Sequence, residues 1–174
     1  MNNRLIVVAG PTASGKTATA IALAEKYGGE IVSADSMQVY RGMDIGTAKA
    51  TAEERAQAVH HMLDVAEPEE NYSVSLYVQA AQKVCEDVIA RGKLPIVTGG
   101  TGLYIDSLLR GSDFAPIEED KALRRELEAE YDALGGQVML QRLSEFDPMR
   151  ALKLNATDKR RIVRAIEIYR ISGK

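Results

Sequence analysis

Eight residues, Gly10-Pro11-Thr12-Ala13-Ser14-Gly15-Lys16-Thr17, fit the anion-cradling pattern G-x-x-x-x-G-K-[ST]. Gly10 and Gly15 give the backbone angles closed to other residues, so consecutive N–H groups can turn inward around a phosphate. Lys16 adds a mobile ammonium for the outer phosphates. Thr17 brings a hydroxyl able to join the shell of a Mg²⁺ ion. Asp35 is the second candidate. A carboxylate at a strand end beside an anion site either binds Mg²⁺ or takes a proton from an incoming nucleophile. The residue type leaves both roles open, and also that of a loop carboxylate capping nearby amides. Thr101, in the turn Thr98-Gly99-Gly100-Thr101-Gly102, offers a hydroxyl and amides to a second anionic group, or simply begins a helix. His60-His61 lack a third ligand at metal spacing and read as packing residues rather than a zinc site.

The elements that must hold these groups are legible around them. Leu5-Ile6-Val7-Val8-Ala9 is an apolar run suited to a buried parallel strand, and Thr17 to Tyr27, rich in Ala and Leu, suits a helix. The phosphate pattern therefore sits at a strand-to-helix turn, where the helix adds its positive N-terminal end. Gly28-Gly29 ends that helix, and Glu30 to Ala34 reads as a second strand that delivers Asp35 to the same sheet edge. Thr51 to Val59 reads as a short helix, and His60 to Val65 fits loop or strand. Ser73 predicts the cap of a helix over Val74–Ala90, with Val74, Tyr77, Val78, Ala81, Val84, Cys85 and Val88 on one face. Leu94 to Val97 is a third strand, and Leu103 to Arg110 a helix. Strand–helix alternation up to Gly111 predicts an α/β core with a P-loop NTPase-like parallel sheet and helices on both faces. From Ser112 the pattern changes to helices alone, over Glu118–Leu134, Gln137–Glu145, Pro148–Leu152 and Asp158–Ile171. Residues 1–111 are thus expected as the core and 112–174 as a helical insertion.

The chain has 174 residues, of which 45% are hydrophobic, enough to bury a core. No apolar run approaches a membrane span, and strand-like residues begin at Leu5, where a signal peptide would lie. A single cysteine excludes an internal disulfide and suits a reducing compartment, so a cytoplasmic location is expected; the expected assembly is a monomer. Arg150 to Lys174 holds eight basic and two acidic residues, about +6, which leaves about −9 on the remainder of a chain of net charge −3. Within it, Arg160, Arg161 and Arg164 share a helical face opposite Ile162, Ile166 and Tyr169. That face is either solvated or suited to a polyanion such as nucleic acid.

The phosphate pattern, Asp35-Ser36-Met37-Gln38-Val39-Tyr40, Gly46-Thr47-Ala48-Lys49, His60-His61, Tyr72-Ser73-Val74 and Gly99-Gly100-Thr101-Gly102-Leu103-Tyr104 together resemble the tRNA dimethylallyltransferases, or tRNA isopentenyl transferases. The resemblance runs through the chain in order and is similar to a C-terminally truncated member, since the family continues past the equivalent of Lys174. It implies transfer of a dimethylallyl group from dimethylallyl diphosphate to the exocyclic amine of the adenosine 3′ to the anticodon in tRNA. On this resemblance Asp35 is the general base and Ser36, Met37 and Gln38 hold the target nucleotide. Thr101 contacts the reacting groups, and the loop from Gly10 to Thr17 holds the diphosphate with Mg²⁺ at Thr17. Arg124 and the stretch Lys159, Arg160, Arg161, Ile162 and Val163 match segments that contact the tRNA anticodon stem–loop. Asn155-Ala156-Thr157-Asp158 departs from the family's His-Pro-Asn-Asp. The alternatives are an adenylate isopentenyltransferase, an ATP-dependent small-molecule kinase on the same loop, and an inactive tRNA-binding fragment.

Overall fold

The computed structural model describes residues 4–111 and 120–173. The chain divides into two compact units, Met1–Asp113 and Phe114–Lys174. The first is built on a parallel sheet of β1 (Ile6–Ala9), β2 (Gly29–Ser33), β3 (His60–His61) and β4 (Leu94–Gly99) in the order β1-β4-β2-β3. The three strands expected from apolar runs are present. The fourth, β3, resolves the stretch from His60 to Val65, which by its sequence fits loop or strand: only His60 and His61 are strand, pairing with Ile31 and Val32.

Ile31 and Val32 are both fully buried, and neighbouring strand residues face opposite ways, so both faces of the sheet are covered. On one face Ile31 and Ile96 pack with Ala20, Ile21 and Ala24 of α1 (Lys16–Tyr27). The other face meets α3 (Val74–Ala90), capped by Ser73, whose hydroxyl accepts the Leu76 N–H at 3.3 Å. Tyr77, Val78, Ala81, Cys85 and Val88 form its buried stripe, while Val74 and Val84 reach the stripe's half-buried margin. Burial pushes the Cys85 thiol up to about 11, which suits a core residue and not a nucleophile. The helix α2 (Ala52–Gln57) begins at a capping box between Thr51 and Glu54, and α4 (Gly102–Leu109) follows β4. This is the P-loop NTPase-like parallel architecture.

One charged hub sits inside this unit. Glu30, 2% exposed, accepts bonds from Arg91 at 2.6 and 2.8 Å, from Lys93 at 2.8 Å and from His61 Nε2 at 2.6 Å. The Arg91 bonds hold the carboxyl far below the ordinary glutamate value of 4.5; burial opposes them, and Lys93 and His61 add to the lowering. A carboxyl depressed in the fold binds its proton more readily when unfolded. Its stabilisation is therefore complete above about pH 4.5 and is lost as pH falls through the acid range. In Glu30→Gln this acid-dependent loss should be missing. Thermal melts at pH 6 and pH 3 should show a smaller drop in the variant than in the parent, and equal drops would remove Glu30 from that role.

The second unit contains α5 (Lys121–Leu134), α6 (Gly136–Ser144), α7 (Pro148–Ala151) and α8 (Lys159–Ser172). Its core joins Leu127, Met139, Leu143, Ile162, Val163 and Ile166, and each large side chain contributes roughly 1.5–3 kcal/mol by leaving water. The helix expected from Glu118 starts at Lys121, because Asp120 is its cap and accepts the Ala122 and Leu123 N–H groups at 2.9 and 3.0 Å. Residues 118–119 lie outside the described residues. The helix expected over Gln137–Glu145 runs one residue earlier at both ends.

Candidate active site

The phosphate loop joins β1 to α1 as expected, but the division of labour among its residues differs. Gly15, with φ +79°, provides the left-handed turn that starts α1. Gly10 is absent from the positive-φ residues, and Ala13 adopts the second left-handed conformation, with φ 63°. At Gly10 a Cβ would lie 3.0 Å from Ser14 Oγ, a tight contact that the serine side chain would have to relieve. The Lys16 ammonium donates to the Pro11 carbonyl, bending the side chain back over its own loop.

Because β4 lies between β1 and β2, the phosphate loop and the Asp35 turn flank the C-terminal end of β4. That is the crevice where open α/β sheets bind ligands. The ends of β2 and β4 approach closely there. A Cβ at Gly99 would stand 2.1 Å from the Ala34 carbonyl oxygen, so only glycine fits. The Ala34 N–H donates to Thr98 at 2.7 Å, and Thr101 N–H returns a bond to Ala34 at 3.1 Å. A cavity of about 380 Å³ opens above this junction, lined by Thr12 to Thr17 on one side and by Asp35 and Gln38 on another.

Asp35 is half-buried, and its two oxygens are used differently. Oδ1 accepts the Met37 N–H at 2.9 Å and the Gln38 N–H at 3.4 Å, the amide-capping role that its residue type allowed. Among the described residues Oδ2 has no hydrogen-bond partner; it lies 3.9 Å from the Cβ position of Gly100. The cap fixes the side chain while one oxygen stays available to a ligand in the cavity. Capping and chemistry are therefore compatible in one carboxylate.

Thr101 does not line the cavity and makes no side-chain cap to α4. Its hydroxyl accepts the Ser36 N–H at 2.9 Å and donates to Ser36 Oγ at 3.2 Å. Thr101 thus clamps the Asp35 turn from the neighbouring strand end. Gln38 is likewise engaged: its Nε2 donates to Thr47 and Ala48 carbonyls at 3.0 and 3.2 Å, and its Oε1 accepts from Ser33. Met37 is 45% exposed beside them.

Thr47, Ala48, Lys49, Glu54 and Thr98 also line the cavity and were not singled out as site residues. The Gly46-Thr47-Ala48-Lys49 segment was the signal available for three of them. Lys49 is buried to 1% of its side chain and reaches the Tyr40 carbonyl at 2.7 Å, Asp44 at 2.7 Å and Asp64 at 2.8 Å. Burial pulls its ammonium pKa down, but the two carboxylates outweigh this and hold it above the ordinary lysine value. It is a permanent cation that fixes the cavity wall.

In the helical unit the structure corrects the expected basic face. Arg160 and Arg161 are exposed, but Arg164 pairs with the buried Glu167 at 3.0 Å. Ile162 and Val163, expected among RNA-contacting residues, are 0% and 2% exposed. Their side chains belong to the core of the unit, so neither presents a side chain at the surface. Tyr169 keeps to the surface, stacked on Phe146 at 3.9 Å. Lys159 pairs with Asp132 at 2.6 Å, and Arg124 donates to Glu167 at 2.7 and 3.0 Å. Asn155-Ala156-Thr157-Asp158 closes as a turn without the family residues: the Asn155 N–H donates to the Asp158 carboxylate, and the Asp158 N–H to the Asn155 carbonyl, both at 2.9 Å.

No helix among the described residues is long and apolar enough to cross a membrane. Comparison with known proteins gives a consistent result. The IPP transferase family profile matches residues 38–174 and the isopentenyl transferase profile residues 2–67. A tRNA dimethylallyltransferase of Pelotomaculum thermopropionicum is 49% identical over 170 residues, covering 98% of this chain and 54% of the relative. One from Anaeromyxobacter sp. strain Fw109-5 is 55% identical over 166 residues, covering 95% and 55%. The full-length tRNA isopentenylpyrophosphate transferase of Bacillus halodurans superposes with a TM-score of 0.65 at 42% identity, covering 99% of this chain and 57% of its own. A eukaryotic dimethylallyltransferase described as acting on tRNA reaches 0.80 at 33% identity, covering 98% and 42%. The chain spans about half the length of these relatives. With a family profile over most of its length and relatives near half identical, the chain belongs to the tRNA isopentenyl transferase (tRNA dimethylallyltransferase) family.

Proposed function

We propose that this chain supplies the catalytic centre for transfer of a dimethylallyl group from dimethylallyl diphosphate to the exocyclic amine of the adenosine 3′-adjacent to a tRNA anticodon. The observation that carries the reading is that Asp35 and the Gly15–Lys16–Thr17 turn line one cavity. Lys16 and the loop amides take the diphosphate, whose negative charge grows as it leaves. The adenosine leaves its stack to enter, as bases do in enzymes that modify them. The amine nitrogen attacks the allylic carbon, the carbon–oxygen bond to diphosphate breaks, and the amine proton passes to Asp35. Thr101 acts through Ser36 to keep the Asp35 turn in place.

The donor set suits Mg²⁺. Thr17 offers a hydroxyl, and a diphosphate completes an all-oxygen shell of the kind this hard cation prefers. Among the described residues no three His, Cys, Asp or Glu side chains cluster as a protein-only metal site, which fits an ion held largely by the diphosphate. Bound there, the ion neutralises charge on the leaving diphosphate. Arg160 and Arg161 supply exposed cations for the anticodon stem–loop. The setting is a cytoplasmic monomer.

The test is incubation of the chain with labelled dimethylallyl diphosphate and tRNA, followed by nucleoside analysis and competition with ATP. The expected result is one prenylated adenosine, 3′ to the anticodon, with label transfer insensitive to ATP. Displacement of the diphosphate by ATP, with no modified adenosine, would transfer the site to the kinase reading.

A further inference from the structure

We infer that Gln38 is a positioning residue for the prenyl diphosphate: its carboxamide fastens Thr47, Ala48 and Lys49 as a wall of the cavity, and its N–H groups do not read the target nucleotide. The inference rests on the prenyl-transfer reading above and deepens it.

The cavity lining is anchored in two different ways. The phosphate loop, Asp35 and Gly99 are carried by strands, whereas Thr47, Ala48 and Lys49 lie between β2 and α2, outside both. The bonds this segment makes within itself are local: Thr47 Oγ1 donates to the Met43 carbonyl at 2.6 Å, and the Lys49 N–H to that of Asp44 at 3.3 Å. Its backbone is also strained, since Ala48 has φ 49°, a left-handed angle that residues with a Cβ rarely adopt. Such a conformation persists only where the surroundings over-determine it.

Two side chains do so. Lys49 runs inward to the Tyr40 carbonyl and to the Asp44 and Asp64 carboxylates. Gln38 holds the preceding residues, its Nε2 donating to the Thr47 carbonyl at 3.0 Å and the Ala48 carbonyl at 3.2 Å. Carbonyls only accept, so the amide nitrogen must face them, and the Ser33 hydroxyl, 3.0 Å from Oε1, donates from the other side. Ser33 ends β2 and is 3% exposed, so the lock runs from the sheet through Gln38 to the wall. Both amide hydrogens are spent on the wall, and none is left for a base edge. A prenyl diphosphate seated on the phosphate loop shares its cavity with this wall, so a wall that drifts loosens the diphosphate substrate and spares the RNA.

Gln38→Met keeps the length and adds no charge near the diphosphate, but it cannot hold the two carbonyls. Positioning predicts dimethylallyl diphosphate affinity weaker by roughly fivefold or more, the loss of two neutral hydrogen bonds, with RNA affinity unchanged. Nucleotide reading predicts the reverse split. The measurements are titration calorimetry of dimethylallyl diphosphate and fluorescence anisotropy of a labelled anticodon stem–loop, both with the full chain. Folding is checked by circular dichroism. Ser33→Ala frees only the far end of the amide and should weaken the diphosphate by roughly two- to threefold. This variant decides the matter if Gln38→Met fails to fold. Glycine takes the left-handed angle without strain, so Ala48→Gly in the Gln38→Met background should regain roughly two- to fivefold. Parent-like diphosphate affinity in both Gln38→Met and Ser33→Ala, or weakening confined to RNA, overturns the positioning role. A double variant no tighter than Gln38→Met overturns the account of Ala48. A parent chain that does not bind dimethylallyl diphosphate removes the prenyl-transfer reading and this inference together.

Discussion

Asp35→Asn is expected to slow the prenyl-transfer step by roughly 10²- to 10⁴-fold, the usual contribution of a general base, while both substrates still bind. The amine of adenine is a weak nucleophile that must lose a proton as the new bond forms. An ionised carboxylate only accepts hydrogen bonds and can take that proton, whereas a carboxamide of the same size cannot. The substitution is structurally mild. The asparagine oxygen can still accept the Met37 N–H that now bonds Oδ1 at 2.9 Å, so the turn and the Thr101–Ser36 clamp should survive. The loss should therefore fall on the chemical step. Single-turnover transfer with both substrates saturating is the measurement. A rate within a few-fold of the parent would exclude Asp35 as the base. Intact chemistry with much weaker Mg²⁺ affinity would assign the residue to the metal.

The second large effect concerns binding. Lys16→Ala should weaken dimethylallyl diphosphate by about 1.5–3 kcal/mol, roughly 10- to 150-fold in Kd, the cost of one charge-assisted contact. RNA affinity should hardly change, because the expected RNA-binding cations lie on the helical unit. The folded loop tolerates the change: among the described residues the Lys16 ammonium bonds only its own Pro11 carbonyl, and the turn into α1 is made by the left-handed Gly15. Titration calorimetry of the diphosphate would check it. Unchanged affinity would mean that the loop amides bind the anion without the lysine.

Much of this molecule is written locally in its sequence. The phosphate loop is a contiguous string of residues whose backbone forms the site, so its position needed no tertiary information. Ser73 and the apolar stripe of α3 are equally local, because a cap and a 3.6-residue period act within one helix. Asp35 could be placed at the ligand edge because strand–helix alternation puts all strand ends on one side of a parallel sheet.

What the sequence could not settle depends on partners distant along the chain. Thr101 meets Ser36 across 65 residues, and that contact turns a possible anion donor into a clamp. Glu30 reads as an ordinary strand residue until the fold brings Arg91, Lys93 and His61 around it. Lys49 likewise becomes a buried anchor only when Asp64 arrives from the next segment. On α8 the helical period placed Ile162 inward and Arg161 outward. Only the packing of α5 and α6 against that helix decided that Val163 is also core and that Glu167 takes Arg124 from α5. The physical reason is the same in each case. Periodicity records how one element divides its faces, whereas burial and ion pairing are set by what the chain later packs against them.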